Sequence, residues 1–278
     1  MRAPLRLTIV TGCALAAYLG LAPRVSAQAA PNGCANCHAA LPEAVLASPV
    51  KAVAGDVHEK NGVRCADCHG GSAATDDRAL AHDPAQGYRG KPADAAICAS
   101  CHTAFAERFA TSTHAQLFTC GECHGHHGVQ PSSDSLLGTA SDAICANCHE
   151  GSADAGFAAA GAMRTSLDRL RQAIEASSAA LARVRNAGME VGDQQLALDG
   201  ARTKLILARM EVHASSPATL EPVIADGLAL TTGVDRAAQE AVDDLAFRRR
   251  GLFVSLGLIL LVVVALTLKI REIDRRRA

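Results

Sequence analysis

The stretch CGECHGHHGV at residues 120–129 contains a pentapeptide, Cys-x-x-Cys-His, that occurs five times between residues 31 and 150. The other copies are CANCH at 34–38, CADCH at 65–69, CASCH at 98–102 and CANCH at 145–149. Together the five copies use ten of the eleven cysteines of the chain, and the remaining one, Cys13, lies in the N-terminal stretch. The repeat therefore predicts five chemically equivalent sites in the same part of the chain.

The composition is poor in the side chains that fill protein cores. The 278 residues include no Trp, only two Tyr and six Phe, and much of the 49% apolar content is Ala. A chain of this size normally buries many large side chains, and burial of apolar area is the main stabilising term in folding. The composition therefore argues against an ordinary globular enzyme and favours a fold organised around metals or cofactors.

The spacing within the pentapeptide is typical of covalent attachment of c-type haem. The two thiols can form thioethers with the vinyl groups of one porphyrin, and the adjacent His can bind the iron on its proximal side. A redox dithiol or half of a zinc site also uses Cys-x-x-Cys, but neither requires a His directly after the second Cys. The predicted thioether residues are Cys34, Cys37, Cys65, Cys68, Cys98, Cys101, Cys120, Cys123, Cys145 and Cys148, and the predicted proximal ligands are His38, His69, His102, His124 and His149.

Five covalently attached haem c groups would supply the apolar surface that the composition lacks. We therefore expect a mostly α-helical fold with much irregular loop and no substantial sheet, in which folding of the motif region depends on haem attachment. The fold class comprises a multihaem cytochrome module, a helical hairpin or bundle, and one C-terminal transmembrane helix. The predicted domains are a signal peptide at 1–27, a pentahaem domain at 28–150, a helical domain at 151–247, and an anchor with a short tail at 248–278.

Six further His residues could provide the second axial ligand of each iron. We expect bis-His ligation, with His58, His82, His114, His127 and His213 as the distal ligands and His126 as the spare residue. Two alternatives remain open: both His126 and His127 bind iron, or His213 is instead a core residue on an apolar helix face. The spacing of the His residues along the chain does not predict which distal His binds which iron.

Bis-His ligation leaves the iron without an open coordination position, so the sequence favours electron transfer over catalysis. No residue is assigned a catalytic role. One alternative is a multihaem reductase of nitrogen or sulfur oxyanions with one five-coordinate haem. A second alternative is a haem-bearing structural subunit of a larger respiratory complex.

The two ends of the chain indicate export and membrane anchoring. Residues 1–27 have the basic, apolar and small-residue regions of a secretory signal, although an uncleaved anchor or a lipoprotein signal at Cys13 are alternatives. Gly251 to Leu268 is an uncharged run of 18 residues flanked by Arg, long enough to cross a bilayer. We expect a single-pass protein of the inner membrane with its haem domain in the periplasm and its C-terminus in the cytoplasm.

Residues 153–247 have the apolar spacing of helices and contain no Cys. We predict one helix ending near Asn186, a second from about Asp193 as N-cap to His213, and a third after Pro217 that can continue into the span and bend at Gly227 and Gly233. A solvated spacer and a dimerising hairpin are alternatives to the preferred small bundle, which would keep the haem module close to the membrane and could also support an oligomer.

The charge distribution indicates which partners to expect. Residues 31–247 carry 16 basic and 26 acidic side chains, whereas both ends of the chain are basic. Such a body is unsuited to nucleic acid, which needs clustered Lys and Arg, but it can attract a basic protein. The expected partners are other redox proteins, namely a quinol-oxidising membrane protein, a periplasmic reductase or both, together with the membrane.

Residues 31–150 resemble the periplasmic multihaem cytochromes c, the group that includes class III cytochromes and the NapC/NirT and NrfB types. The runs HEKNGVRCADCHGG and CGECHGHHGV are similar to segments of these proteins in which a nearby His is a distal ligand. The resemblance therefore implies this role for His58 and His127. NapC-type quinol dehydrogenases are anchored by an N-terminal helix, whereas the apolar run of this chain is C-terminal.

Overall fold

The computed structural model describes residues 32–92 and 94–277, and these residues form helices and loops without a β-strand. Of the described residues, 73% are helical, which confirms the predicted fold class. The predicted signal peptide and Cys13 lie outside the described residues. Several loops end in a polar N-cap whose side chain accepts a hydrogen bond from the first turn of the next helix.

Short helices make up the region of the five motifs. Asp56 and Asp77 each cap the helix that follows them by accepting hydrogen bonds from backbone N–H groups. The α-helices are α1 (Gly33–His38), α2 (Ala44–Val53), α3 (Val57–Lys60), α4 (Cys65–His69), α5 (Arg78–Ala81), α6 (Asp94–Cys101), α7 (Thr103–Ala110) and α8 (Cys120–His124). Single 3-10 turns occupy Pro84–Gln86, Thr113–Gln116, Asp134–Leu136 and Ile144–Asn147.

Three long helices follow and pack into a bundle. They are α9 (Ala155–Asn186), α10 (Gly192–Glu211) and α11 (Pro217–Arg277), and a 3-10 turn at Val212–Ala214 precedes the last one. Their shared core includes Leu167, Leu170, Leu198, Leu220 and Ile224, all at most 1% exposed. The apolar residues recur at intervals of three and four, so each helix turns one stripe inward. The preferred sequence interpretation, a small bundle, agrees with this packing.

Two details of the sequence interpretation differ from the structure. Val191, and not Asp193, is the N-cap of α10, and Asp193 lies in the first turn, where its negative charge suits the helix dipole. Ile206, which belongs to the alternative apolar helix face at His213, is 61% exposed, so that face is not buried. Helix α11 continues through Gly227 and Gly233, and the bend expected at these two residues stays a prediction.

Contacts between Cα atoms divide the chain into two compact units. The first contains the described residues up to 51 together with 64–90, and the second contains 52–63 together with the residues from 91 onward. The first unit therefore has the first two motifs, and the second unit has the other three motifs and the bundle. The domain boundaries expected from the sequence stay predictions.

The C-terminal part of α11 is long and apolar enough to cross a membrane. Its most apolar window of 18 residues has a mean hydropathy of 2.8, and none of that window is buried within the protein. Large side chains such as Leu256 and Leu261 are more than half exposed. The helix is therefore compatible with a single membrane span, as the sequence predicted.

Candidate haem-binding sites

Each of the five motifs lies on a single helical turn, and we number the corresponding sites first to fifth in chain order. The first, second and fourth motifs form α1, α4 and α8, the third is at the end of α6, and the fifth begins in the turn Ile144–Asn147. A helical turn brings residues three and four positions apart to one side. In each motif the two thiols and the His are therefore gathered at one place.

At the first, third, fourth and fifth sites, the motif His ring faces a second imidazole at nearly the same distance. The centroids are 6.0 Å apart for His38 and His82 and 6.1 Å for His102 and His58. They are 6.1 Å apart for His124 and His213 and 6.0 Å for His149 and His114. Every one of these pairs joins a motif His with a His that the sequence analysis selected as a distal ligand.

This separation fits two imidazoles that bind one metal from opposite sides. A metal–imidazole bond is about 2 Å long, and the centre of the ring lies roughly 1 Å beyond its nitrogen. Two rings on one iron therefore have centroids about 6 Å apart, with bis-His haem as the usual case. The donor set and the spacing of the four pairs fit haem c.

Hydrogen bonds at Nδ1 orient the imidazoles that were predicted as distal ligands. The Nδ1 atom of His82 donates to the Arg78 carbonyl at 2.8 Å, and that of His213 donates to the Met210 carbonyl at 3.1 Å. The Nδ1 atom of His114 lies 2.9 Å from the Ser215 hydroxyl oxygen. Such bonds fix the ring and leave Nε2 available for a metal, as in most metal-binding His residues.

Two of the paired imidazoles have a carboxylate at Nδ1 instead. His58 Nδ1 is 3.0 Å from Asp56 Oδ1, and His149 Nδ1 is 2.9 Å from Asp154 Oδ2. Asp154 also caps α9, and Gly156 in that first turn lies so close to the His149 ring that a Cβ atom there would be 2.1 Å from it. The start of the bundle is therefore built against the fifth site.

Asp56 is the most buried of these carboxylates, with 3% of the residue exposed. It accepts hydrogen bonds from the backbone N–H of His58 at 2.7 Å and of Val129 at 2.9 Å, in addition to the His58 ring. Burial acts to raise the pKa of Asp56, but these hydrogen bonds outweigh it and place the pKa of the carboxyl below its usual range. Asp56 thus remains an anion beside the third site.

The three sites of the second unit are neighbours. Helix α6 packs against α8, which joins the third motif to the fourth. Burial lowers the pKa of His124, with His213 and His102 as further causes. Burial also raises the pKa of the Cys123 thiol, and Cys145 is the next cause. The third, fourth and fifth sites therefore form a continuous group.

The first two sites lie together in the other unit. Burial raises the pKa of the Cys34 thiol, and the neighbouring Cys65 thiol is the second cause. The second motif His, His69, has its Nδ1 atom 2.8 Å from the Gly90 carbonyl. The distal ligand of the second site stays a prediction, and so does the ligand role of His127.

The bundle contributes one of the paired imidazoles. His213 lies in the turn between α10 and α11, and its ring also contacts the Phe105 ring at a centroid distance of 5.2 Å. The buried Glu211 forms an ion pair with Arg108 on α7 at 2.9 Å. Arg209 donates two hydrogen bonds of 2.8 Å to the Asp134 carboxylate. These contacts position His213 against the fourth motif.

Sequence reasoning did not find Asp56, Asp154 or Ser215, which contact axial His residues. Asp56 and Asp154 are helix N-caps, and a cap Asp close to a candidate ligand His is a pattern that could have identified both. Ser215 is 101 residues from His114 along the chain. No local pattern predicts such a contact.

The motifs and the imidazole pairs support one class of protein, the multihaem c-type cytochromes, in which attached haems transfer electrons. Consistent with this class, residues 57–150 match the family model described as cytochrome c3. The match covers four of the five motifs and begins after the first one. It supports a multihaem electron-transfer cytochrome with covalently bound haem c. No curated protein and no solved structure matched the chain.

Proposed function

We propose that this protein is a membrane-anchored pentahaem cytochrome c of the periplasm, with bis-His ligation throughout. It relays electrons between a membrane redox partner and a periplasmic or membrane redox enzyme. The observation that carries the proposal is the set of four imidazole pairs at 6.0–6.1 Å. Haem c bound at these sites would supply one-electron redox centres.

The first site supports a count of five rather than four. It lies outside the cytochrome c3 match, yet His38 and His82 have the same ring separation as the pairs inside that match. The complete Cys-x-x-Cys-His sequence at 34–38 supplies the two thiols. The first site therefore has the same set of donor groups as the third, fourth and fifth sites.

The residues around the sites favour electron relay over catalysis. An imidazole on each side of an iron excludes a substrate from the metal, and the Nδ1 hydrogen bonds of His58, His82, His114 and His213 resist rotation of the distal rings. Fixed rings reduce the structural change that accompanies oxidation and reduction. The chain thus provides rigid, closed sites.

Membrane anchoring is supported by the exposed apolar end of α11 and by the Arg residues on both sides of it. Five basic residues follow the run from Gly251 to Leu268, and three precede it. The excess on the C-terminal side follows the positive-inside tendency, which would leave the haem sites outside the cytoplasm. Covalent haem c attachment on that side also requires export.

The test combines intact mass with ferric EPR of the natively matured protein. We expect five added haem groups, all low-spin. A high-spin haem that binds cyanide or nitrite in the unmodified protein would instead support the multihaem reductase, and a mass without added haem would refute both functions.

A pair of variants tests the ligand assignment. His213→Ala is expected to convert one haem, that of the fourth site, to a high-spin form that binds cyanide. The matched variant His126→Ala removes a His that the proposal does not use, so all haems should stay low-spin. Five low-spin haems in His213→Ala would contradict the assignment of His213.

A further inference from the structure

We propose that the three-helix bundle is a stalk that keeps the third, fourth and fifth sites about 50 Å from the bilayer along α11. These sites then exchange electrons with a redox protein that has a basic face, and not with a quinol dissolved in the membrane. The inference rests on the proposed function, because it takes the sites to be haem sites and the end of α11 to be a membrane span.

The three sites contact the bundle at one end. His149 lies against the first turn of α9, and His114 bonds to Ser215 directly before α11. His213 itself belongs to the turn that precedes α11, and Phe105 joins that turn to the segment after His102. All of these contacts fall where α9 begins, α10 ends and α11 begins.

The apolar span is at the other end of the same helix. From Pro217 to Arg250, just before the uncharged run, α11 has 34 residues. At a rise of about 1.5 Å per residue, this segment is about 50 Å long. Electron tunnelling decays exponentially with distance, so a gap of this length prevents direct transfer from a quinol within the bilayer.

The stalk is stiff enough for its length to matter. Helix α11 is unbroken from Pro217 to Arg277, and its internal proline, Pro222, is close to the end that adjoins the sites. Leu170 of α9 packs against Gly227, and Lys204 of α10 pairs with Asp226 at 2.7 Å. Helices without a kink curve only gently. The proposal therefore differs from the sequence expectation that the bundle keeps these haems close to the membrane.

The charge near the three motifs indicates the chemistry of the partner. Exposed acidic side chains adjoin each motif: Glu107 follows the third, Glu122 is inside the fourth, and Asp142 and Glu150 flank the fifth. A negative surface around redox sites attracts and orients a basic partner.

The first test measures the distance of the three sites from the membrane. Electron cryomicroscopy of the haem-loaded full-length protein in lipid nanodiscs should show the haem irons of these three sites about 50 Å from the headgroups, separated from them by the bundle. Iron density next to the headgroups at any of the three sites would overturn the stalk.

The second test compares two electron donors on the same nanodiscs. A long-tailed menaquinol confined to the bilayer should reduce the haems of the third, fourth and fifth sites no faster than these haems are reduced on nanodiscs without quinol. A reduced small basic cytochrome c added in solution should reduce them rapidly, and raising the ionic strength should slow it by about 10- to 1000-fold. The same cytochrome with acetylated lysines is the matched control and should react slowly at any salt concentration.

The outcomes separate this inference from the proposed function. Rapid reduction by the bilayer quinol, or equal rates with basic and acetylated cytochrome, would refute the stalk and its partner while five low-spin haems would still support electron relay. A protein without haem would fail the mass and EPR test first. Slow quinol reduction together with salt-sensitive reduction by the basic cytochrome supports the inference.

Discussion

The motif region and the helical bundle reach a folded state by different means. Of the 18 buried apolar residues among those described, only Leu137 and Ala143 come from residues before 151, and the rest belong to the long helices or to the turn before α11. The bundle buries a continuous stripe of Leu, Ile and Val. The motif region has short helices, caps and paired imidazoles but almost no core of its own.

This difference shows what the haem groups would contribute to the fold. Burial of apolar area stabilises a domain by about 25 cal/mol per Å², and the motif region has few side chains that can provide it. Porphyrins would provide such area, so this region should depend on its cofactors. The bundle should not. The predictions below test that contrast from the largest expected effect to the smallest.

Loss of all five haems should unfold the motif region and leave the bundle helical. Replacing the ten motif cysteines with Ser prevents attachment, and the region then lacks both apolar area and iron–His links. Hydrogen exchange should show unprotected amides in residues 32–150 and protected amides in the middle of α9 and α10. The haem-loaded protein is the control, and protected amides throughout residues 32–150 of the variant would contradict the contrast.

Leu170→Ala should destabilise the bundle by about 2–5 kcal/mol, because it leaves a cavity in a fully buried site next to Gly227. Leu196→Ala is the matched control, since Leu196 is 74% exposed on α10, and it should change stability by less than about 0.5 kcal/mol. Denaturant unfolding followed by far-UV circular dichroism measures both. Equal effects of the two variants would show that the bundle core is not the stabilising element.

Asp56→Asn should raise the reduction potential of the third site by roughly 60 mV. For one electron this shift equals about 1.4 kcal/mol, which is near the free energy of one hydrogen bond to a charged group. The reason is that Asp56 places a negative charge at Nδ1 of His58, which favours ferric iron. Asn has one accepting oxygen instead of two, so it can keep the bond from one of the two backbone N–H groups. Spectroelectrochemistry of the third site provides the measurement.

Asp77→Asn is the control for this charge effect. Like Asp56, Asp77 accepts hydrogen bonds from two backbone N–H groups, those of Ala79 and Leu80. The described hydrogen bonds of the Asp77 carboxylate involve no His ring. All potentials should therefore stay unchanged in this variant. An equal shift in both variants would mean that capping, rather than the charge at the imidazole, sets the potential.

The smallest effect concerns acid stability of the bundle. Hydrogen bonds from Arg164 first, and from Arg171, lower the pKa of Asp168 in the folded protein. This stabilisation is present above the unfolded-state pKa of about 3.9 and is lost as pH falls through the lower folded-state pKa. Because the pair is partly exposed, we expect less than about 1 kcal/mol.

Asp168→Asn should remove that part of the pH dependence. Hydrogen exchange of α9 amides between pH 5 and the acid transition gives the measurement, with Asp193→Asn on the exposed first turn of α10 as the control. A variant whose stability falls with acid as steeply as the parent would exclude Asp168 as a contributor.

The sequence indicated the helical fold and selected the His residues that the structure brings together. His58, His82, His114 and His213 were chosen by counting His residues against motifs, and each now lies about 6 Å from a motif His. Their individual partners could not be predicted. His58 pairs with His102, which is 44 positions later, and the motif at 65–69 lies between them in the sequence. Such a pairing depends on the path of the loops in the folded chain.

The position of His213 illustrates the limit of periodicity. Helical spacing allowed the alternative that His213 lies on an apolar helix face, but Ile206, seven residues earlier, is exposed and His213 lies in a 3-10 turn. Helix ends are decided by tertiary contacts, here the ion pair of Glu211 with Arg108 and the rings of Phe105 and His124. A pattern along one helix contains no information about contacts from another segment.

By itself the sequence determined the chemistry of attachment and the apolar end of α11, since both depend on residues adjacent in the chain. Covalent spacing and hydropathy are local properties. Only the tertiary structure decided which imidazoles meet, which carboxylates lie at their outer nitrogens, and that the bundle places three sites at the end far from the apolar run. Those features join residues up to about a hundred positions apart, and their distances arise from packing.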